Sequence, residues 1–284
     1  MARSPLGARR MLLLVIATVV LSYLVLCLLV FLFQRSIVFP VPPGAREPQM
    51  PGATLLRIPG REGSTVYVLH VPAPPGAPTV VHFHGNGDQL ADQVPVAWRF
   101  KEAGLGFYVM EYPGYGLAAE RGPSEQDIYA AAEVALAHLH GALGVPRERT
   151  VLQGQSLGSG VAVEMARRGL GARLVLLTPY TSLVDMGARV FPWLPARLLV
   201  RDRFDSAAKA PEVKMPVLIV HGTRDEVIPV DMGRTLGRLF PHATVRLVEG
   251  ATHNDVFYTP GVLQELVRFA RAGASHVDTG HPEP

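Results

Sequence analysis

Gly154-Gln155-Ser156-Leu157-Gly158 lies between an apolar run, Thr150-Val151-Leu152-Gln153, and a helical pattern of small residues over 159–166. A strand that turns into a helix within five residues leaves no room for side chains at the flanks of the turn. The two glycines therefore restrict this stretch to a tight strand–turn–helix with Ser156 raised on its apex. The same five residues also describe an ordinary Gly/Ser turn. The distinction lies in whether a base and an acid for a serine nucleophile occur elsewhere in the chain.

A serine hydroxyl is a weak nucleophile and needs a base within hydrogen-bond reach, held in one tautomer by a third group. In open α/β sheets such groups sit on loops past the carboxyl ends of strands. Two loops qualify. The apolar run 217–221 is followed by Gly222-Thr223-Arg224-Asp225-Glu226-Val227-Ile228-Pro229, and the run 244–248 by Glu249-Gly250-Ala251-Thr252-His253-Asn254. Taken singly, Asp225 reads equally as a solvated turn residue and His253 as a surface histidine. Taken with Ser156 they follow the chain order nucleophile, acid, base. Glu226 and Asp255 are rival carboxylates; Asp225 is preferred because it follows its strand after a short turn.

Acyl transfer also needs donors for a developing oxyanion. The backbone N–H of Leu157, next after the nucleophile, is one, and the N–H of Asn86 in the loop His84-Gly85-Asn86-Gly87-Asp88 is the other. His82 and His84 form an H-x-H pair on one strand face, a spacing that zinc also uses. Asn86 stands where a further metal ligand would be wanted and Asp88 falls late, so neither a metal nor another cofactor is expected.

Residues 11–33 are apolar without a single charge. As a helix they rise roughly 34 Å, enough to cross a hydrocarbon core. Arg3, Arg9 and Arg10 precede the run, while Arg35 and Arg46 follow it. That bias favours a cytoplasmic N-terminus with the rest of the chain on the extracytoplasmic side. A cleaved signal peptide is the rival, but its apolar region would be shorter and would end in small residues rather than Phe31-Leu32-Phe33-Gln34. Cys27, the only cysteine, lies inside the run, so no intrachain disulfide forms. A net charge of +3, with both signs interspersed, provides no stripe for a phosphate backbone, and no nucleic-acid partner is expected. Nothing in the sequence sets an oligomeric state.

The expected organisation is a basic segment (1–10), a transmembrane signal anchor (11–33), a linker (34–52) with five prolines over 40–51, a catalytic domain (53–272) and a disordered tail (273–284). Within the domain, short alternating runs at 53–58 and 64–71 flank a turn and read as a hairpin. Further strands are expected at 79–84, 105–112, 150–153, 173–178, 217–221 and 244–248. Helices are expected at 91–103, 124–140, 159–166, 231–240 and 262–272. This alternation predicts an α/β fold: a mainly parallel sheet, helices on both faces and one antiparallel edge. Residues 180–212 form an insertion containing Val190-Phe191-Pro192-Trp193-Leu194-Pro195. They read either as a small cap over the nucleophile or as helices packed on the sheet.

The chain resembles the α/β-hydrolase superfamily, and within it the membrane-anchored, serine-aminopeptidase-like branch that includes the alpha/beta-hydrolase-domain proteins. The resemblance is carried by His84-Gly85-Asn86-Gly87, Glu111-Tyr112-Pro113-Gly114-Tyr115-Gly116, the Ser156 turn, Arg203-Phe204-Asp205-Ser206, the 221–229 loop and His253. It covers about residues 39–269. One departure is Leu117-Ala118-Ala119-Glu120, where members often carry a Ser-x-Gly turn.

The resemblance implies an α/β-hydrolase fold and cleavage of ester or thioester bonds, often in lipids. Tyr115, Tyr180, Phe191 and Trp193 are expected to line the substrate pocket, and the bilayer is the expected partner of residues 11–33. Two alternatives use the same residues: a cofactor-free serine peroxidase or acyltransferase, and a catalytically silent membrane-tethered scaffold.

Overall fold

Each central strand of the sheet presents apolar side chains to both faces, which is why its sequence reads as a nearly continuous apolar run. The structure is a computed structural model that describes residues 5–119 and 122–272. The expected tail, the first four residues of the basic segment and Glu120 lie outside the described residues. Eight strands, β1 (Thr54–Pro59), β2 (Thr65–Val71), β3 (Thr79–Phe83), β4 (Gly106–Met110), β5 (Thr150–Gln155), β6 (Arg173–Leu177), β7 (Val217–Gly222) and β8 (Ala243–Val248), pair in the order β1-β2-β4-β3-β5-β6-β7-β8. β1 and β2 are antiparallel to their neighbours, and all other pairs are parallel. This is the sheet with one antiparallel edge that the sequence predicts.

Period-two alternation divides the core between the two faces. β7 sends Val217 and Ile219 to one cluster, Leu218 and Val220 to the other. The first cluster packs under α3 (Glu125–Gly141), α4 (Leu157–Arg167) and α8 (Val230–Leu239); the second packs under α2 (Val94–Glu102) and α9 (Val262–Arg271). Ser124 caps α3 by accepting from the Asp127 N–H at 3.2 Å. The helix expected over 91–103 is split: residues Leu90–Gln93 form a tighter turn, and α2 starts only at Val94. Pro95 explains the boundary, because a residue without an N–H fits the first turn of a helix and not its interior.

The N-terminal helix α1 runs Pro5–Val38, five residues past the apolar run. Its Arg9–Val38 stretch is long and apolar enough to cross a membrane. Cys27, Val30, Phe31, Gln34, Arg35 and Val38, spaced by three and four, are the positions shielded by the rest of the molecule. They lie against the cap, built from α5 (Leu183–Val190), α6 (Ala196–Leu199) and α7 (Ser206–Lys209).

The segment expected as a linker over 34–52 is docked on the rest of the molecule. The Gln34 amide donates to Leu199 O at 2.9 Å and accepts from the Arg201 N–H at 2.8 Å. Arg35 donates to Asp202 at 2.8 Å, and Phe39 is buried edge-on against Phe204. The prolines keep 40–51 irregular, but Met50 is buried and Arg46 N–H donates to Gln89. Polar and aromatic groups with fixed partners hold the segment where a proline count suggests free chain.

Candidate active site

Ser156 adopts φ +51°, ψ −120°, a conformation an L-residue holds only when its surroundings impose it. Three hydrogen bonds do so. The Ser156 N–H donates to Leu177 O at 3.0 Å, and Ser156 O accepts from the N–H and hydroxyl of Ser159 at 2.9 and 2.6 Å. The side chain is thereby lifted off β5 at the start of α4.

His253, on the loop after β8, has Nε2 3.0 Å from Ser156 Oγ and Nδ1 2.8 Å from Asp225 Oδ2. A carboxylate on Nδ1 keeps the proton there and leaves the Nε2 lone pair facing the serine. Asp225 is itself fixed, since its Oδ1 accepts from the N–H groups of Val227 and Ile228 at 2.9 and 2.7 Å. Burial alone would raise the Asp225 pKa. Hydrogen bonds from His221, His253 and the Ile228 N–H outweigh it and hold the carboxyl below the usual carboxylate range. Of the rival acids, Glu226 is exposed, and Asp255 accepts from the Thr252 N–H at 2.7 Å, shaping the loop that carries His253.

The loop after β3 reaches the same point. A Cβ placed on Gly85 would lie 3.8 Å from the Ser156 Cβ, so the loop backbone passes directly beside the serine. Leu157 is the first residue of α4, and its N–H is among those a helix leaves without an internal partner. The Asn86 side chain is held at both ends: Tyr115 donates to its Oδ1 at 2.6 Å, and its Nδ2 donates to Val38 O at the end of α1.

Asn86, Ser156 and Leu157 border one cavity of about 530 Å³, closed by apolar side chains of the cap and of α1. Tyr180, Phe191 and Trp193 line it. Tyr115 does not: it is fully buried behind Asn86, edge-on to Tyr112. Its role as a lining residue is corrected to support of the loop, because its hydroxyl finds its partner in Asn86 and its ring a slot between aromatic neighbours.

No family model matches the chain. Residue comparison finds relatives: the chain is 35% identical over 219 residues to the alpha/beta hydrolase domain-containing protein aho-3 of Caenorhabditis elegans, covering 74% of this chain and 63% of that protein. It is 34% identical over 215 residues to alpha/beta hydrolase domain-containing protein 17C of Xenopus tropicalis, covering 73% and 66%. The chain belongs to the α/β-hydrolase superfamily. Among solved structures, the Pyrococcus furiosus esterase Pf2001 superimposes with TM-score 0.67 at 16% identity, over 82% of this chain and 99% of that one. The match spans less than two thirds of the length of both the worm and the frog protein.

This α/β-hydrolase carries two buried groups near the site that motif reading passed over. His221, the last side chain of β7 before Gly222, has Nε2 3.2 Å from Asp225 Oδ2 and 2.9 Å from Ile228 O. Both neighbours are acceptors, so Nε2 carries a proton and the acid receives a second donor besides His253. The signal was present in His221-Gly222-Thr223-Arg224-Asp225, but a strand-end histidine reads equally as core.

The second group, Glu111, lies beneath the Asn86 loop. Its Oε2 accepts from the N–H groups of Leu90 and Leu117 at 3.3 Å, and its Oε1 sits 3.8 Å from His84 Nε2. Burial raises the Glu111 pKa to about 7 against the pull of those two N–H groups, and burial lowers that of His84 to about 4. Between about pH 4 and pH 7 a neutral acid thus faces a neutral imidazole. A carboxyl raised from 4.5 to about 7 on folding contributes stability that is fully present below pH 4.5 and lost as pH rises through 7. The difference is roughly 3 kcal/mol. Glu111→Gln cannot ionise, so its melting temperature is expected to gain on that of the wild type as pH rises from about 5 to about 8.5. Parallel melting curves for the two chains across that range would remove Glu111 as the titrating group.

Proposed function

We propose that this chain is a membrane-anchored serine hydrolase that cleaves a carboxylic ester or thioester bond of a lipid or acyl substrate. The reading is carried by one observation: Ser156 Oγ, the His253 imidazole and the Asp225 carboxylate form a continuous hydrogen-bonded line at the end of an apolar cavity. In the first step His253 Nε2 takes the Ser156 proton as Oγ bonds to the acyl carbon. The N–H groups of Leu157 and Asn86 receive the oxyanion, each worth roughly 3 to 4 kcal/mol in comparable sites. Asp225 steadies the imidazolium, which then protonates the leaving alcohol or thiol. Water, deprotonated by the same imidazole, cleaves the acyl-enzyme to the free acid and restores Ser156.

An apolar cavity favours an acyl group over a polar one, since hydrogen-bond partners for a polar chain are scarce along its walls. The esterase name of the Pyrococcus protein agrees with this chemistry. Helix α1 would hold the enzyme where such substrates partition, with Arg9 and Arg10 on the cytoplasmic side and the hydrolase domain on the other.

The test is covalent labelling of the full chain with a fluorophosphonate probe, beside turnover of p-nitrophenyl esters of graded length, acyl-thioesters and monoacylglycerols. Labelling at Ser156 with turnover of long acyl esters is expected. A folded wild type that resists the probe ends the hydrolase reading in favour of the silent scaffold. A preference confined to acetyl and butyryl esters ends the lipid assignment.

A further inference from the structure

The cavity that ends at Ser156 has two walls, and only one is the cap. The other is α1 itself: Leu26, Val30, Gln34 and Val38, spaced four apart, line the cavity along one ridge of the helix. Two contacts orient that ridge. Val38 O accepts from the Asn86 side chain, so this end of α1 lies at the nucleophile. One turn before Leu26, Tyr23 donates its hydroxyl to Trp193 O at 2.9 Å, so the far end lies at the tip of the cap.

Gln34, the polar member of the ridge, has its amide engaged by Leu199 O and the Arg201 N–H. The ridge therefore offers a ligand no unsatisfied amide. From Val38 to Leu26 the helix rises roughly 18 Å. At about 1.25 Å of extended chain per carbon, from single bonds near 1.5 Å, that is the length of about 14 carbons.

The position of this ridge relative to a bilayer follows from length. The Arg9–Val38 stretch has 30 residues. At 1.5 Å per residue it is roughly 45 Å long, against about 30 Å of hydrocarbon. Roughly ten residues must therefore stand clear of the hydrocarbon if α1 crosses it upright. Those at the Val38 end are the ones docked on the cap. Beside the ridge, Val190, Phe191, Trp193 and Leu198 of the cap are large, apolar and exposed. Such residues next to a membrane-crossing helix sit at the headgroup boundary, where aromatic rings are favoured.

We propose that α1 is both anchor and acyl-chain wall: a fatty acyl chain lies along the 26–38 ridge, with its ester carbonyl at Ser156 and its methyl end toward Leu26, and enters sideways from the bilayer past Trp193. The inference rests on the hydrolase reading above and adds to it that the anchor helix reads chain length.

The experiment uses the full chain in detergent micelles, with p-nitrophenyl butyrate, octanoate and myristate, and with fluorophosphonate labelling to count intact sites in each variant. Val30→Trp fills the ridge two turns from Val38. It is expected to lower the myristate-to-butyrate ratio of kcat/KM, per labelled site, by about tenfold or more. Leu26→Trp, one turn further out, is expected to lower the same ratio while sparing the octanoate-to-butyrate ratio. Leu29→Trp, on the exposed side of α1, is expected to keep both wild-type ratios. Counting only labelled sites removes any loss of folded protein from the comparison. A Val30→Trp variant that labels and cleaves with wild-type ratios overturns the inference and leaves the hydrolase reading standing. A folded wild type that neither labels nor cleaves any ester overturns both.

Discussion

Ser156→Ala is expected to lower kcat on any ester the wild type cleaves by on the order of 10⁵-fold or more, with the fold intact. No neighbouring hydroxyl can substitute. Ser159 Oγ, the closest in sequence, is fully buried and donates to Ser156 O at 2.6 Å. The residual rate is that of water placed by the oxyanion donors and by substrate binding. Asp225→Asn separates positioning from attack. The Val227 and Ile228 N–H groups would hold the new amide oxygen and turn its NH₂ toward His253 Nδ1 and His221 Nε2. Two donors would then face one another, and His253 could relieve the clash only by moving its proton to Nε2, which removes the base. About a 10⁴-fold loss of kcat is expected, together with a lower melting temperature at neutral pH, because Asn lacks the charge that the surrounding donors stabilise. Active-site labelling and thermal melting on the same preparations check both variants. A Ser156→Ala chain that still takes the fluorophosphonate would reassign the nucleophile.

Gly158→Ala is expected to act on the fold rather than on the chemistry. A Cβ at Gly158 would stand 2.0 Å from Phe83 O and 2.7 Å from His84 O, both main-chain atoms of β3 and its loop. Backbone in the middle of a parallel sheet cannot yield, so the variant is expected to lose at least about 3 kcal/mol of stability. Gly154→Ala meets Gly158 O at 2.3 Å and the Ser159 Cα at 2.6 Å, and the same loss is expected. Gly141→Ala, at the end of α3 with nothing within 4 Å of the added methyl, is the control and is expected to be neutral or slightly stabilising. Denaturant unfolding in detergent measures all three. Equal midpoints for Gly158→Ala and Gly141→Ala would mean that the turn is not held by close approach of β3.

The elements that were legible beforehand are those whose signal is local. β7 could be placed because a strand buried on both faces is a nearly continuous apolar run, and β8 because its short β-branched and apolar run ends at a Gly turn. Asp225 and His253 could be placed because each sits in the few residues after such a strand. The Ser156 turn was legible for the same reason, since its glycines answer to contacts within one turn of chain and to the strand beside it. Tyr115 was misplaced because an aromatic residue near a nucleophile carries no mark of whether its ring faces the pocket or the core. Glu111 carries no mark of a role within Glu111-Tyr112-Pro113-Gly114-Tyr115-Gly116. Its environment is made by Leu90, Leu117 and His84, none of them within the same motif.

The docking of α1 shows the limit most clearly. Residues 11–33 are apolar on every face, so periodicity could not indicate that one ridge packs against a cap more than 150 residues later. The contacts that decide it, Gln34 with Leu199 and Arg35 with Asp202, join residues 165 and 167 positions apart. By itself the sequence determined the strand–helix alternation, the turn at Ser156 and the placement of Ser156, Asp225 and His253 past strand ends, because short-range sterics and strand-end loops impose these. Only the tertiary structure decided which side chains enclose the space in front of Ser156. An apolar surface records that it must be covered, and the rest of the chain decides what covers it.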